Sequence, residues 1–164
     1  VDEMDIHQNP KIGADWMNRG TQKEVRTPGQ NVKRYLAGAL DARSGLLTWV
    51  RADRKNSLLF IALALKLAEQ HPHARRIHLV LDNFKIHDSA ATRAALATLD
   101  GRVVLHFLPP YSPDGNKIER LWLDLHANVT RNHRCGDMPE LMNNVYNYLR
   151  NRNQRMRRLA WKAA

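Results

Sequence analysis

Three acids stand where apolar runs give out: Asp2 at the start of the chain, Asp82 directly after Ile77 to Leu81 (IHLVL), and Glu119 within LPPYSPDGNKIERLW, Leu108 to Trp122. A lone carboxylate at a strand end costs little. Beside other carboxylates it is expensive unless a cation holds them together. If a sheet gathers Asp2, Asp82 and Glu119, the set offers hard oxygen ligands without His or Cys, which suits Mg²⁺ or Mn²⁺ and not Zn²⁺. Two such ions can activate a water or hydroxyl and stabilise the leaving oxygen of an in-line displacement at phosphorus, as in nucleases and strand transferases.

Each acid taken singly has a plainer explanation. Asp82 would serve as a helix cap or loop residue, and Glu119 as a surface partner of Lys117 or Arg120. Asp2 has rivals in Glu3 and Asp5, but strand alternation puts both on the opposite face, so only one of the three can join Asp82 and Glu119.

The elements that must position these acids follow from hydrophobic period and turn chemistry. Val1 to His7 reads as a strand, the Pro- and Gly-rich stretch Asn9 to Gln30 as a long loop or loose hairpin, and Arg34 to Ala42 with Leu46 to Arg51 as strands around a Ser44-Gly45 turn. Asn56 is expected to cap a helix over Ser57 to Glu69 that ends at His71-Pro72, and Asp88 or Ser89 a second helix to about Leu99. Leu79 to Asp82 and Val103 to Leu108 are short strands flanking that second helix. After a turn on three prolines the chain becomes helical from Pro113 to about Asn132, and again from Met138-Pro139 to about Arg150. Three antiparallel strands followed by alternating helices and strands predict an α/β fold with a mixed sheet and helices on both faces. Leu141, Val145 and Leu149 form a packing stripe. Trp16, Trp49 and Trp122 are expected as core or loop anchors rather than base-stacking platforms.

At 164 residues the chain is one domain by size, and 43% hydrophobic residues make it globular. Twenty-six Lys and Arg against 16 Asp and Glu give a net charge of +10, a balance that favours a polyanionic partner, with nucleic acid first. The single cysteine, Cys135, excludes an intramolecular disulfide and suits a reducing compartment. His133 and His71 with His73 have no second Cys pair or HxxxH partner, so a zinc site is not expected and solvated loop histidines are. Ser112 has no His-Asp pairing for a hydrolase nucleophile. No apolar run is long enough to span a bilayer and no signal segment opens the chain, so a cytoplasmic, nucleoid-associated protein is expected. Beyond a domain over 1–150 follows a basic tail, 151–164; Arg150 at the boundary and Arg152, Arg155, Arg157, Arg158 and Lys162 within the tail are candidate phosphate contacts.

The pairing of VLDNFKIHDS with LPPYSPDGNKIERLW, preceded by VDEMDIHQNPKIGADWMNRG and PGQNVKRYLAGALDARSG, resembles the DDE catalytic domain of the IS630/Tc1/mariner superfamily transposases across nearly the whole chain. The resemblance implies an RNase H-like fold, two Mg²⁺ ions with Mn²⁺ as a substitute, and metal-dependent cutting and joining of transposon ends in double-stranded DNA. By position Asp2 matches the first acid, Asp82 the second and Glu119 the third, all three as catalytic metal ligands. Asn83 and His87 match supporting positions. Synapsis of two DNA ends is consistent with a homodimer. Gly115 and Lys117 stand where the family often has Leu and Pro, which predicts a looser turn ahead of Glu119. The family's N-terminal helix-turn-helix domains have no counterpart here, as in a catalytic-domain fragment or one product of a disrupted element. Two other readings compete: a DNA-binding or interaction remnant without catalysis, and a ribonuclease or repair nuclease on the same fold.

Overall fold

Apolar residues follow one another along Lys33–Leu40, so successive side chains face two different layers, and this strand lies between them. In the computed structural model, which describes residues 1–22, 24–27, 29–109 and 115–162, the last without its side chain, it is the middle strand of an antiparallel sheet. The order is β1 (Asp2–His7), β2 (Lys33–Leu40) and β3 (Leu47–Ala52), with Asp2 opposite Gly38 and Leu40 opposite Leu47. Leu36 packs with one cluster of buried residues and its neighbours Ala37 and Ala39 with another, as strand alternation requires. The turn from β2 to β3 closes on Asp41, whose carboxylate accepts from the Arg43 amide and the Ser44 hydroxyl. Gly45 follows at a positive φ of 68°.

On one face lies α1 (Ser57–Gln70), with Asn56 at its N-cap accepting from the Leu59 amide at 3.3 Å as the sequence predicted. It buries Leu59, Phe60, Leu63 and Leu67 against Ala37, Ala39, Leu79 and Leu81. A parallel pair, β4 (Ile77–Leu81) and β5 (Val103–Phe107), is joined through a 3₁₀ turn at Lys85–Asp88 and α2 (Ala90–Ala97), which Ser89 caps. On the other face α3 (Ile118–Leu125), followed by a π-turn at His126–Thr130, and α4 (Met138–Lys162) cover Ile6, Leu36 and Leu47. Leu141, Val145 and Leu149 are fully buried there, so the stripe is core.

The antiparallel and parallel strands of the expected α/β fold form two hydrogen-bonded sheets, and the Val1 nitrogen donates to the Val80 carbonyl at 2.7 Å between them. Two expectations need correction. The last helix does not stop near Arg150 but runs to Lys162: Arg, Gln, Met, Leu and Ala are good helix formers, and neither Gly nor Pro interrupts them. His133 is no solvated loop residue. It is buried, with Nε2 3.4 Å from the His7 carbonyl and Nδ1 accepting from the Cys135 amide.

Trp122 is core and Trp49 packs against it, whereas Trp16 stands 98% exposed in the long loop between β1 and β2, with Ile12 and Met17 also exposed. That loop is closed at its base by Gln8 and Val32 and by Asn9 reaching Gly29. Among the described residues no helix is long and apolar enough to cross a membrane.

Candidate active site

The junction of the two sheets brings the acids into one region. Where Val1 meets Val80, the next residue of β1 is Asp2, and the chain leaving β4 delivers Asp82. Asp2 and Glu119 line the same cleft of about 410 Å³, together with Met4, His7, Lys11 and Trp122. Glu119 occupies the first turn of α3, where the helix dipole favours a negative charge.

Two contacts set the approach of α3. Gly38, directly opposite Asp2 in the sheet, has no side chain, and the indole of Trp122 fills the space: a Cβ there would lie 2.7 Å from Cζ2 and 3.2 Å from Cδ1 of Ile118. Trp122 is one helical turn beyond Glu119, so this contact seats the start of α3 beside Asp2. The second contact is Asn116, which is buried and donates from its amide to the Val1 carbonyl at 3.3 Å, while its own carbonyl accepts from the Glu119 amide at 3.0 Å. The turn ahead of Glu119 is thus tied to β1 rather than loose, and Gly115 packs against Leu108. Pro110, Ser112 and Pro113 lie outside the described residues.

Burial, reinforced by the charges of Glu3 and Asp82, pushes the Asp2 carboxyl up to about 6, against the opposing effect of the Glu3 amide it accepts from and of Lys55. The main cause is the removal of the carboxylate from water, with the two neighbouring acids adding to it. Asp82 is half exposed; its Oδ1 accepts from the Phe84 amide at 3.0 Å and lies 3.1 Å from Nδ1 of His87. Among the described residues no three His, Cys, Asp or Glu stand close enough together to enclose one ion. The donor set itself, carboxylates from β1, from the segment after β4 and from α3, fits a hard divalent cation.

His87 is fully buried. Desolvation disfavours its charged form, but the hydrogen bond and charge of Glu3, with the carbonyl and carboxylate of Asp82, outweigh it and the pKa is raised. Asn83 donates to the Leu108 carbonyl at 2.7 Å, and the Leu108 amide to the Leu81 carbonyl, so the segments leaving β4 and β5 are fastened side by side.

The basic residues of α4 divide. Arg150, Arg155, Arg157 and Arg158 are exposed, but Arg152 donates to the Gly45 carbonyl at 2.8 Å and is half buried, which lowers its pKa. The Lys162 side chain lies outside the described residues. Sequence reasoning missed Glu3, Gly38 and Asn116 as parts of the site. Only Gly38 carried a signal, a glycine inside a strand pattern, which marks a close approach by another element.

Known proteins share this organisation. A family described as DDE superfamily endonuclease matches residues 1–142. The insertion element IS630 uncharacterized 39 kDa protein of Shigella sonnei is 46% identical over 148 residues, which cover 90% of this chain and 43% of that protein; the chain thus spans less than half the length of this relative. Among solved structures, a Mos1 transposase paired-end complex with left transposon end superposes with a TM-score of 0.62 at 20% identity, over 90% of this chain and 46% of that one. A Mos1 mariner paired end complex with Mn gives 0.60 at 18% identity, over 95% and 52%. These two likenesses establish the fold.

Proposed function

Since the chain belongs to the DDE superfamily endonucleases, we propose that it is a transposase catalytic domain that cuts double-stranded DNA at transposon ends and joins them to target DNA. Its architecture is RNase H-like, shared with Mos1 transposase. One observation carries the reading: Asp2 and Glu119, from a strand and a helix distant in sequence, line one cleft.

In this reading Asp2, Asp82 and Glu119 hold two Mg²⁺ ions, for which Mn²⁺ substitutes. Such ions supply charge that activates the attacking oxygen and stabilises the leaving one. The chain's own residues do the rest. Gly38 and Asn116 fix where Glu119 stands, and Asn83 holds the segments that follow β4 and β5 together. The exposed Arg150, Arg155, Arg157 and Arg158 of α4, with the net charge of +10, favour the DNA backbone. Synapsis of two ends calls for a second copy of the chain, and DNA as substrate for a cytoplasmic, nucleoid-associated protein.

The test is cleavage of a plasmid or a transposon-end duplex with Mn²⁺. Cutting by the wild type that is lost in Asp82→Ala is the expected result. Cutting that survives Asp82→Ala would sink the assignment.

A further inference from the structure

The most deeply buried acid among the described residues is not one of the three. Glu3 follows Asp2 on β1 but points to the opposite face, where its side chain is 1% exposed. Its Oε1 lies 3.1 Å from Nε2 of His87, whose ring is wholly buried. The other ring nitrogen, Nδ1, lies 3.1 Å from Oδ1 of Asp82 and 3.2 Å from its carbonyl. Carboxylates and carbonyls only accept, so a ring carrying a proton on both nitrogens satisfies each end. Phe60 lies tilted against the ring at 4.7 Å between centroids and Phe84 edge-on at 6.1 Å, so two aromatic rings flank it.

A buried acid-histidine pair is a poor way to stabilise a core, since apolar residues of similar volume often do as well or better. What such a pair provides is direction. We propose that Glu3 is a positioning residue for divalent-cation binding: its carboxylate holds the His87 imidazole, and the imidazole fixes the orientation of the Asp82 carboxylate. This rests on the carboxylate site proposed above. One strand then governs two ligands, supplying Asp2 itself and, from its other face, the support of Asp82. Partners that orient ligands from behind typically matter by about 10–100-fold in metal affinity.

The test is calorimetric titration of the whole chain with Mn²⁺, comparing wild type, Glu3→Gln, Asp82→Asn and the double variant. Glu3→Gln is expected to fold cooperatively yet bind Mn²⁺ about 10–100-fold more weakly. The double variant is expected to bind no more weakly than Asp82→Asn alone, because Glu3 acts through Asp82; a merely structural role would not produce that non-additivity. Wild-type affinity in Glu3→Gln beside weakened Asp82→Asn, or losses that add, overturns the role of Glu3 and leaves the carboxylate site standing. Undiminished affinity in Asp82→Asn overturns the site and the role of Glu3 with it. A second measurement needs no variant to fold: in the wild type, Mg²⁺ is expected to shift the His87 ring nitrogen resonances at the midpoint of Mg²⁺ binding. Ring signals that ignore saturating Mg²⁺ overturn the coupling.

Discussion

The indole of Trp122 lies over Gly38, on the strand position paired with Asp2, in space that any side chain at 38 would fill. The depth at which α3 sits on the sheet, and hence where Glu119 starts, depends on that missing Cβ.

Gly38→Ala should therefore displace α3. The ring cannot shift cheaply, since it is buried in the core with Ile118 and Leu121. The expected cost is about 1–3 kcal/mol, read by urea denaturation, with Mn²⁺ affinity reduced further than the lost stability explains. Unchanged metal binding would separate the seat of α3 from the site.

Asp2 is a group that harms the metal-free fold. Burial and two neighbouring acids oppose its charge, so Asp2→Asn should raise the melting temperature of metal-stripped protein at neutral pH, by about 1–2 kcal/mol of stability. Saturating Mg²⁺ should stabilise the wild type by about 2.7 kcal/mol at one hundred times its Kd. The variant should gain little. Equal metal-induced shifts in both would remove Asp2 from the ligand set.

Asn153 joins α4 to the start of β3. Its side-chain oxygen accepts from the Leu47 amide at 2.9 Å and its nitrogen donates to the Leu47 carbonyl at 2.8 Å, both buried. Asn153→Ala leaves two backbone groups without partners and should cost about 1–3 kcal/mol, measured by chemical denaturation. Mn²⁺ affinity should hold, because Asn153 does not line the cleft of Asp2 and Glu119.

Tyr148 should ionise late. Burial, with the hydrogen bond to Asp124 and that residue's charge, pushes the phenol up to about 12. A phenol whose folded pKa exceeds its unfolded value of about 10 contributes stability that is present below pH 10 and lost as pH rises toward 12. In an ultraviolet titration a tyrosine step near pH 12 is expected, and Tyr148→Phe should remove it. A titration without that step would contradict the Asp124 contact.

Local chemistry was legible in the sequence. Asn56 and Ser89 cap the helices they precede, Asp41 to Gly45 turns, and the acids end their apolar runs, because each depends on neighbours a few residues away. The resemblance to DDE transposases read from the Asp82 and Glu119 motifs is borne out by the family match. Alternation put Glu3 opposite Asp2, but nothing local named His87 as its partner, far along the chain. The tie of Asn116 to Val1 was hidden for the same reason, and so the turn ahead of Glu119 read as looser than it is. Composition misled at the end of α4, where arginines read as a tail although their helix propensity carries the helix on.

That continuation changes what the arginines are. Beyond Asn153 every residue of α4 through Trp161 is exposed except Met156, so Arg155, Arg157 and Arg158 ride on a rod that rises about 1.5 Å per residue. A floppy charged end would have to be ordered each time it meets a polyanion. A helix has already lost that freedom when the domain folds, so the backbone spacing of its cations is set before anything meets them.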